Sequence, residues 1–239
     1  MSENSKITTK FRRLVDGQGR QRLFNGLNMV CKEPDLGFVY PLGSSDYQRL
    51  SHNGINILRF GIYWAAIEPN PGEYNETYLQ RVKEQLIYAC EAGIFTFLDF
   101  HQDLYGVSFG GGAPAWAEVT DGLPHITGDL WSDAYLISPA LNRAIEHFWN
   151  NDPLCGIGLQ EYFLHMLKHT VEFFSGTPGL LGYDLWNEPY PGLSGQRALS
   201  EVMALLSESG NLGQSQEKAR LIAGLTDIDF YRRLTDIIS

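Results

Sequence analysis

Cysteine is scarce in this chain. Cys31, Cys90 and Cys155 are the only thiols in 239 residues, odd in number and widely spaced, which suits reduced thiols in a reducing compartment better than a disulfide framework. Basic residues are few as well. Lys and Arg total 18 against 28 Asp and Glu, a net charge of −10, so a phosphate backbone or an anionic membrane surface would be repelled on average and nucleic acid is not an expected partner. No uninterrupted apolar run is long enough to span a bilayer, and the amino-terminal "MSENSKITTKFRRL" lacks the apolar stretch of a secretory signal. The expectation is a cytoplasmic protein without a transmembrane segment.

Several catalytic signatures are missing too. Gly110-Gly111-Gly112 is not followed by Lys-Ser/Thr and fits neither nucleotide fingerprint, so it reads as a flexible loop. His165 and His169 stand four apart, as helix-borne metal ligands can, but the Glu of H-E-x-x-H is absent and both fall outside the apolar stripe of their segment. Both are expected to be solvated. No Ser or Cys lies in a nucleophile-elbow context, which leaves acyl transfer without support. No cofactor and no metal is expected.

What the chain does have is a large core, with 44% hydrophobic and 13% aromatic residues. Residues 23–29 ("LFNGLNM"), 55–64 ("INILRFGIYW"), 94–101 ("IFTFLDFH") and 180–187 ("LLGYDLWN") read as strands. Between them Tyr47 and Leu50, then Tyr78, Val82, Leu86 and Ala89, keep helical spacing up to stops at Asn53-Gly54 and Gly93. A longer stripe of Leu159, Tyr162, Phe163, Met166, Leu167, Thr170, Val171 and Phe174 steps by three and one. Apolar strands alternating with helices argue for parallel βα units buried on both faces, an α/β architecture. Helical segments are expected at 197–207, 216–223 and 227–238. With no repeat and no low-complexity linker, residues 1–239 form a single domain in this reading.

Polar residues interrupt these strands where a purely structural strand would have none: Arg59 in the second, Asp99 and His101 on the third, Asn187 and Glu188 on the fourth. Taken singly each has an ordinary explanation. Arg59 could pair with a core carboxylate such as Asp99, His101 could be a hydrogen-bonded histidine, and Glu188 could cap a loop or helix. Together they lie at one end of successive parallel strands, where catalytic groups collect. Trp64, Trp116 and Trp186 suit sugar faces and suit a core equally.

The stretches "ILRFGIYWAAIEPNPGEYNETYL", "FLDFHQDLYG" and "YDLWNEPYPG" resemble glycoside hydrolase family 5, retaining glycosidases of the cellulase clan built on a (β/α)8 barrel. "DFHQDLYG" and "AIEHFWNNDPLCGIGLQEYF" are most similar to its endoglycoceramidase-like branch, which cleaves β-glycosides of glycolipids. The resemblance implies Glu188 as general acid/base, Asn187 as the partner of the sugar 2-hydroxyl, Arg59 as support for the nucleophile and His101 as a subsite wall. It further implies Asp103, Lys32 and Trp149 as glycan contacts, and a glycoside or glycolipid substrate. Glycosidic cleavage needs an acid poised near neutral pH, which a buried Glu among carboxylates supplies, and a retaining enzyme needs a second carboxylate as nucleophile.

That second carboxylate is where the chain departs from the family. The family's nucleophile lies on the seventh strand, whereas only four strands are legible here and the tail reads helical. The expectation is therefore the amino-terminal half of a barrel, strands one to four with their helices, with an apolar inner face and the nucleophile on a second chain or segment. Alone it would be inactive. The alternative is a non-catalytic half-barrel that binds glycan or glycolipid.

Overall fold

The computed structural model describes residues 7–193 and 228–238. An antiparallel hairpin of β1 (Thr8–Lys10) and β2 (Arg13–Val15), which hydropathy did not foreshadow, precedes the main sheet. That sheet consists of β3 (Gly26–Met29), β4 (Ile57–Ile62), β5 (Phe95–Phe100) and β8 (Leu180–Asp184), side by side in chain order and parallel throughout. The helices between them are α1 (Ser44–His52), α2 (Trp64–Ile67), α3 (Glu76–Glu91), α4 (Ala134–Ile137), α5 (Pro139–Trp149) and α6 (Leu159–Phe174). A two-residue-per-strand hairpin, β6 (Pro153–Leu154) with β7 (Ile157–Gly158), leads into α6, and α7 (Ile228–Ile238) packs against α6. Four parallel strands in sequential order, each joined to the next by helix, form the arrangement of the first half of a (β/α)8 barrel.

The local chemistry explains the elements. On β4, Leu58, Phe60 and Ile62 alternate onto the helix-covered face and are buried. The α3 helix starts where the Asn75 side chain accepts the Tyr78 amide, and it buries Leu79, Val82, Leu86 and Ala89 at helical spacing. In α5 the Ser138 side chain caps the Leu141 amide and Pro139 occupies the first turn. Phe148, wholly buried at the end of α5, sits within ring-contact distance of Trp64, Phe163, Trp186 and Phe230, joining α2, α5, α6, α7 and the segment after β8. Burial of a side chain of this size stabilises by about 2–3 kcal/mol.

Several expectations are corrected. The first strand begins at Gly26 rather than residue 23, because it is an edge strand and Leu23 is left 77% exposed. The fourth ends at Asp184 rather than 187: Asn187 still donates its amide to Phe100, but the chain then turns at Glu188. Gly110-Gly111-Gly112 is a packed turn instead of a flexible loop, since Gly111 accepts the Asp103 amide, Gly112 accepts that of Ala65, and both glycines are buried. His169 is half-buried, its Nε2 donating to Glu76 Oε1 at 2.8 Å and its ring stacked on Tyr74 at 4.1 Å, so only His165 of the two is solvated.

The inner sheet face is also different from the apolar one anticipated. In register across it Arg59 stands between Asn28 and Phe97, and Asp99 between Gly61 and Asp184, a mixed face whose polar residues are held by the ion pairs described below. Of the three expected tail helices, α7 is present with Phe230 and Leu234 buried; the segments at 197–207 and 216–223 lie outside the described residues. Among the described residues no helix is long and apolar enough to cross a membrane.

Candidate active site

Arg59 is the hub of the strand ends. Its Nη1 donates to Asn28 Oδ1 at 3.0 Å and lies 2.8 Å from Asp99 Oδ2, while Nε and Nη2 both reach Asp184 Oδ2 at 2.9 and 2.7 Å. Nη2 also donates to Asn187 Oδ1 at 2.8 Å. The guanidinium therefore engages the other three strands of the sheet or the segments that leave them, which only a planar group with five donors can do. Pairing with Asp99 and reaching the Asn187-Glu188 turn turn out to be two parts of one arrangement.

His101 continues the chain of charges. Its Nδ1 is 2.7 Å from Asp99 Oδ2 and its Nε2 is 3.1 Å from Asp103 Oδ2, and Lys32 Nζ approaches the same Asp103 oxygen at 2.6 Å. A carboxylate on each ring nitrogen is satisfied by the imidazolium, in which both nitrogens donate. Burial opposes that charge, yet the hydrogen bonds to Asp103 and Asp99 outweigh it and raise the His101 pKa above the ordinary value. Burial likewise pushes Asp99 up, beyond what His101 and Arg59 recover, whereas His101 and Lys32 overcome burial at Asp103 and hold it below the usual carboxylate range. Asp99 is wholly buried, and among the described residues its Oδ1 has no hydrogen-bond partner.

Glu188 is exposed rather than buried, and its backbone is left-handed, with φ at 42°. Gln102, missed by sequence reasoning although it sits between His101 and Asp103, holds this turn. Its Nε2 donates to the carbonyls of Asn187 at 2.7 Å and of Glu188 at 2.8 Å. Asn187 Nδ2 donates back to the Gln102 carbonyl at 2.9 Å, and its other N–H makes no hydrogen bond among the described residues. Asp184 was also missed; its position at the end of a strand, three residues before Asn187, was the available signal.

The remaining candidates divide. Lys32 and Asp103 join the His101 cluster directly. Trp149 instead donates its indole N–H to the Tyr190 carbonyl at 2.8 Å and packs on Trp186 and Tyr231, so it anchors the chain that follows Glu188. Trp64 is buried with its N–H on Glu68, Trp116 donates to the Glu68 carbonyl, and Trp186 packs among Phe148, Trp149 and Phe163. Trp64 and Trp186 line a small cavity beside Phe100, His101 and Gln102, and Trp116 packs edge-on against Trp64.

Arg59, His101, Asn187 and Glu188 thus stand at or just beyond the carboxyl ends of a parallel β/α sheet. The Cellulase family, glycosyl hydrolase family 5, matches residues 24–208, and the chain belongs to it. Among characterised proteins it is similar to an endoglycoceramidase of Hydra vulgaris, 30% identical over 208 residues, covering 75% of this chain and 39% of that protein. A second, from Cyanea nozakii, is 31% identical over 215 residues, covering 78% and 42%. The lactosyl-enzyme intermediate of endo-glycoceramidase II from Rhodococcus sp. superposes with a TM-score of 0.74 at 29% identity, over 94% of this chain and 48% of that one. The chain thus spans about two fifths of the length of these two curated relatives.

Proposed function

We propose that this chain supplies the acid/base half of a retaining β-glycosidase site acting on glycolipid-type β-glycosides. Glu188 donates a proton to the glycosidic oxygen as the aglycone leaves, and later takes one from the water that releases the sugar. Asn187, held by Arg59 and Gln102, keeps one amide N–H for a sugar hydroxyl; His101, Asp103 and Lys32 form a charged wall for further hydroxyls, and Trp149 holds the Tyr190 carbonyl of the chain that follows Glu188. The observation that carries this reading is the Arg59 contact to Asn187, which ties the Glu188 turn to the floor of the site from two strands away. The names of the similar proteins support a glycolipid as substrate.

The second carboxylate comes, in this proposal, from a segment or chain beyond the described residues. Asp99, Asp103 and Asp184 are each committed to Arg59, His101 or Lys32 and are poor nucleophiles for that reason. Residues 1–239 then act as one partial-barrel domain, inactive until completed. The test is Glu188→Gln in a preparation that turns over glycosides. Activity on alkyl or lipid glycosides should collapse while activated aryl glycosides lose far less, because they need little protonation. Equal losses on both would remove the acid/base role. Turnover by residues 1–239 alone, with a covalent inactivator attached to a carboxylate inside them, would overturn the missing nucleophile, and saturable glycolipid binding without turnover in any assembled form would favour a non-catalytic module.

A further inference from the structure

We infer that Gln102 is the positioning residue that sets the direction of the Glu188 carboxylate; the inference rests on the acid/base reading above. Glu188 adopts φ 42° without being glycine, a conformation that costs on the order of 1 kcal/mol or more and persists only where its surroundings impose it. The following Pro189 disfavours ordinary helical backbone at Glu188 without prescribing the left-handed alternative. What does prescribe it is the carboxamide of Gln102. The Asn187 and Glu188 carbonyls belong to the two peptide planes flanking the Glu188 Cα, and both converge on one nitrogen, at 2.7 and 2.8 Å. Fixing both planes fixes the Cα–Cβ direction, and with it the point from which the side chain carries its carboxylate out of the turn.

Gln102 is itself immobilised. It is 3% exposed, and its Oε1 accepts the Tyr105 amide at 2.7 Å, with the Tyr135 hydroxyl 3.5 Å away. The Tyr190 hydroxyl donates to the Tyr135 carbonyl at 2.9 Å, so the same frame grips the chain on both sides of Glu188. Two donors on one atom and an acceptor on the other are the inventory of a primary amide, and no other side chain of this length offers it. A carboxylate here would present lone pairs to two carbonyls; a thioether would leave both carbonyls unmatched.

The test compares Gln102→Met, Gln102→Glu and Glu188→Gln. In a crystal structure of the Gln102→Met chain, the Glu188 backbone should leave the left-handed region. In a preparation that turns over glycosides, Gln102→Met should lower kcat on an alkyl β-glucoside by about 10- to 100-fold, the scale of a displaced catalytic group, with KM little changed and an activated aryl β-glucoside nearly unaffected. Should the Met variant not fold, Gln102→Glu supplies a second reading: its deficit should shrink as pH falls and the neutral acid regains a donor. An unchanged Glu188 φ, equal losses on both substrates, or a pH-independent Glu variant would overturn the inference. If Glu188→Gln is impaired and the Gln102 variants are not, the inference alone fails; if Glu188→Gln is unimpaired, the acid/base reading fails and takes the inference with it.

Discussion

Arg59 and Asp184 meet on a single oxygen, Nε at 2.9 Å and Nη2 at 2.7 Å from Oδ2, across 125 positions of sequence. That contact joins β4 to β8, strands that are not neighbours, over the top of β5. The same guanidinium neutralises the wholly buried Asp99. It serves stability and site geometry at once.

Arg59→Met should therefore destabilise the fold by about 3 kcal/mol, the cost of stranding a buried charge. Arg59→Lys should recover only part, because one ammonium cannot span Asn28, Asp99, Asp184 and Asn187. Denaturant midpoints of the three chains check this, and a Lys variant as stable as the parent would refute the bridging role.

His101 makes stability depend on pH on the alkaline side. Its folded pKa is raised, so the stabilisation is fully present below the unfolded value of about 6.5 and is lost as pH rises through the folded value above it. Asp103, held low, gives the opposite limb: its contribution is present above about 4 and is lost as pH falls through its lowered folded value. Urea midpoints across this range should decline at both ends, and His101→Gln should flatten the alkaline decline.

Gly112→Ala should be costly. Gly112 has φ 135°, and an added Cβ would stand 2.4 Å from the Tyr105 carbonyl oxygen and 2.7 Å from Gln102 Cβ. Backbone cannot yield as a side-chain tip can, so a loss of about 2 kcal/mol or more is expected. Thermal unfolding measures it, and Gly72→Ala, where an added Cβ meets nothing within 4 Å, separates the clash from the strain of positive φ.

Glycolipid preference has its own measurement. Completed enzyme should hydrolyse glucosylceramide, a lactosyl sphingolipid or a sterylglucoside faster than cello-oligosaccharides. Faster cleavage of soluble β-glucans would remove the lipid aglycone and leave the glycosidase chemistry standing.

The strands and the long helices were legible because hydrophobic period and Gly or Asn stops coincide there: the apolar stripe from Leu159 to Phe174 is α6 from first residue to last. The polar strand-end residues were legible because an Arg or His inside an apolar run is conspicuous. Gln102 was not, since an amide beside His101 and Asp103 has no period or charge to mark it, and its function depends on a turn 86 positions away. The burial expected of Glu188 failed for a related reason: exposure depends on what packs opposite, which local sequence does not carry. The packed glycine turn was hidden in the same way, because Gly-rich composition permits both slack and close approach.

Register pairing of Leu98 with Tyr183 brings together residues separated by the whole excursion of α4, α5 and α6. Contacts of such separation form late, because the closure entropy of the intervening chain must be met before the pairing rewards it. The β3–β4–β5 part, built from nearer contacts, is expected to precede β8 in folding. Arg59 would then wait, partnered by Asn28 and Asp99 alone, until Asp184 and Asn187 arrive. A chain that misfolds at this last step would retain most of its helical signal and lose only the arrangement around Glu188, so spectroscopic helicity is a poor proxy for a competent site and protection of the Asn187 amide, which bonds to Phe100, is a good one.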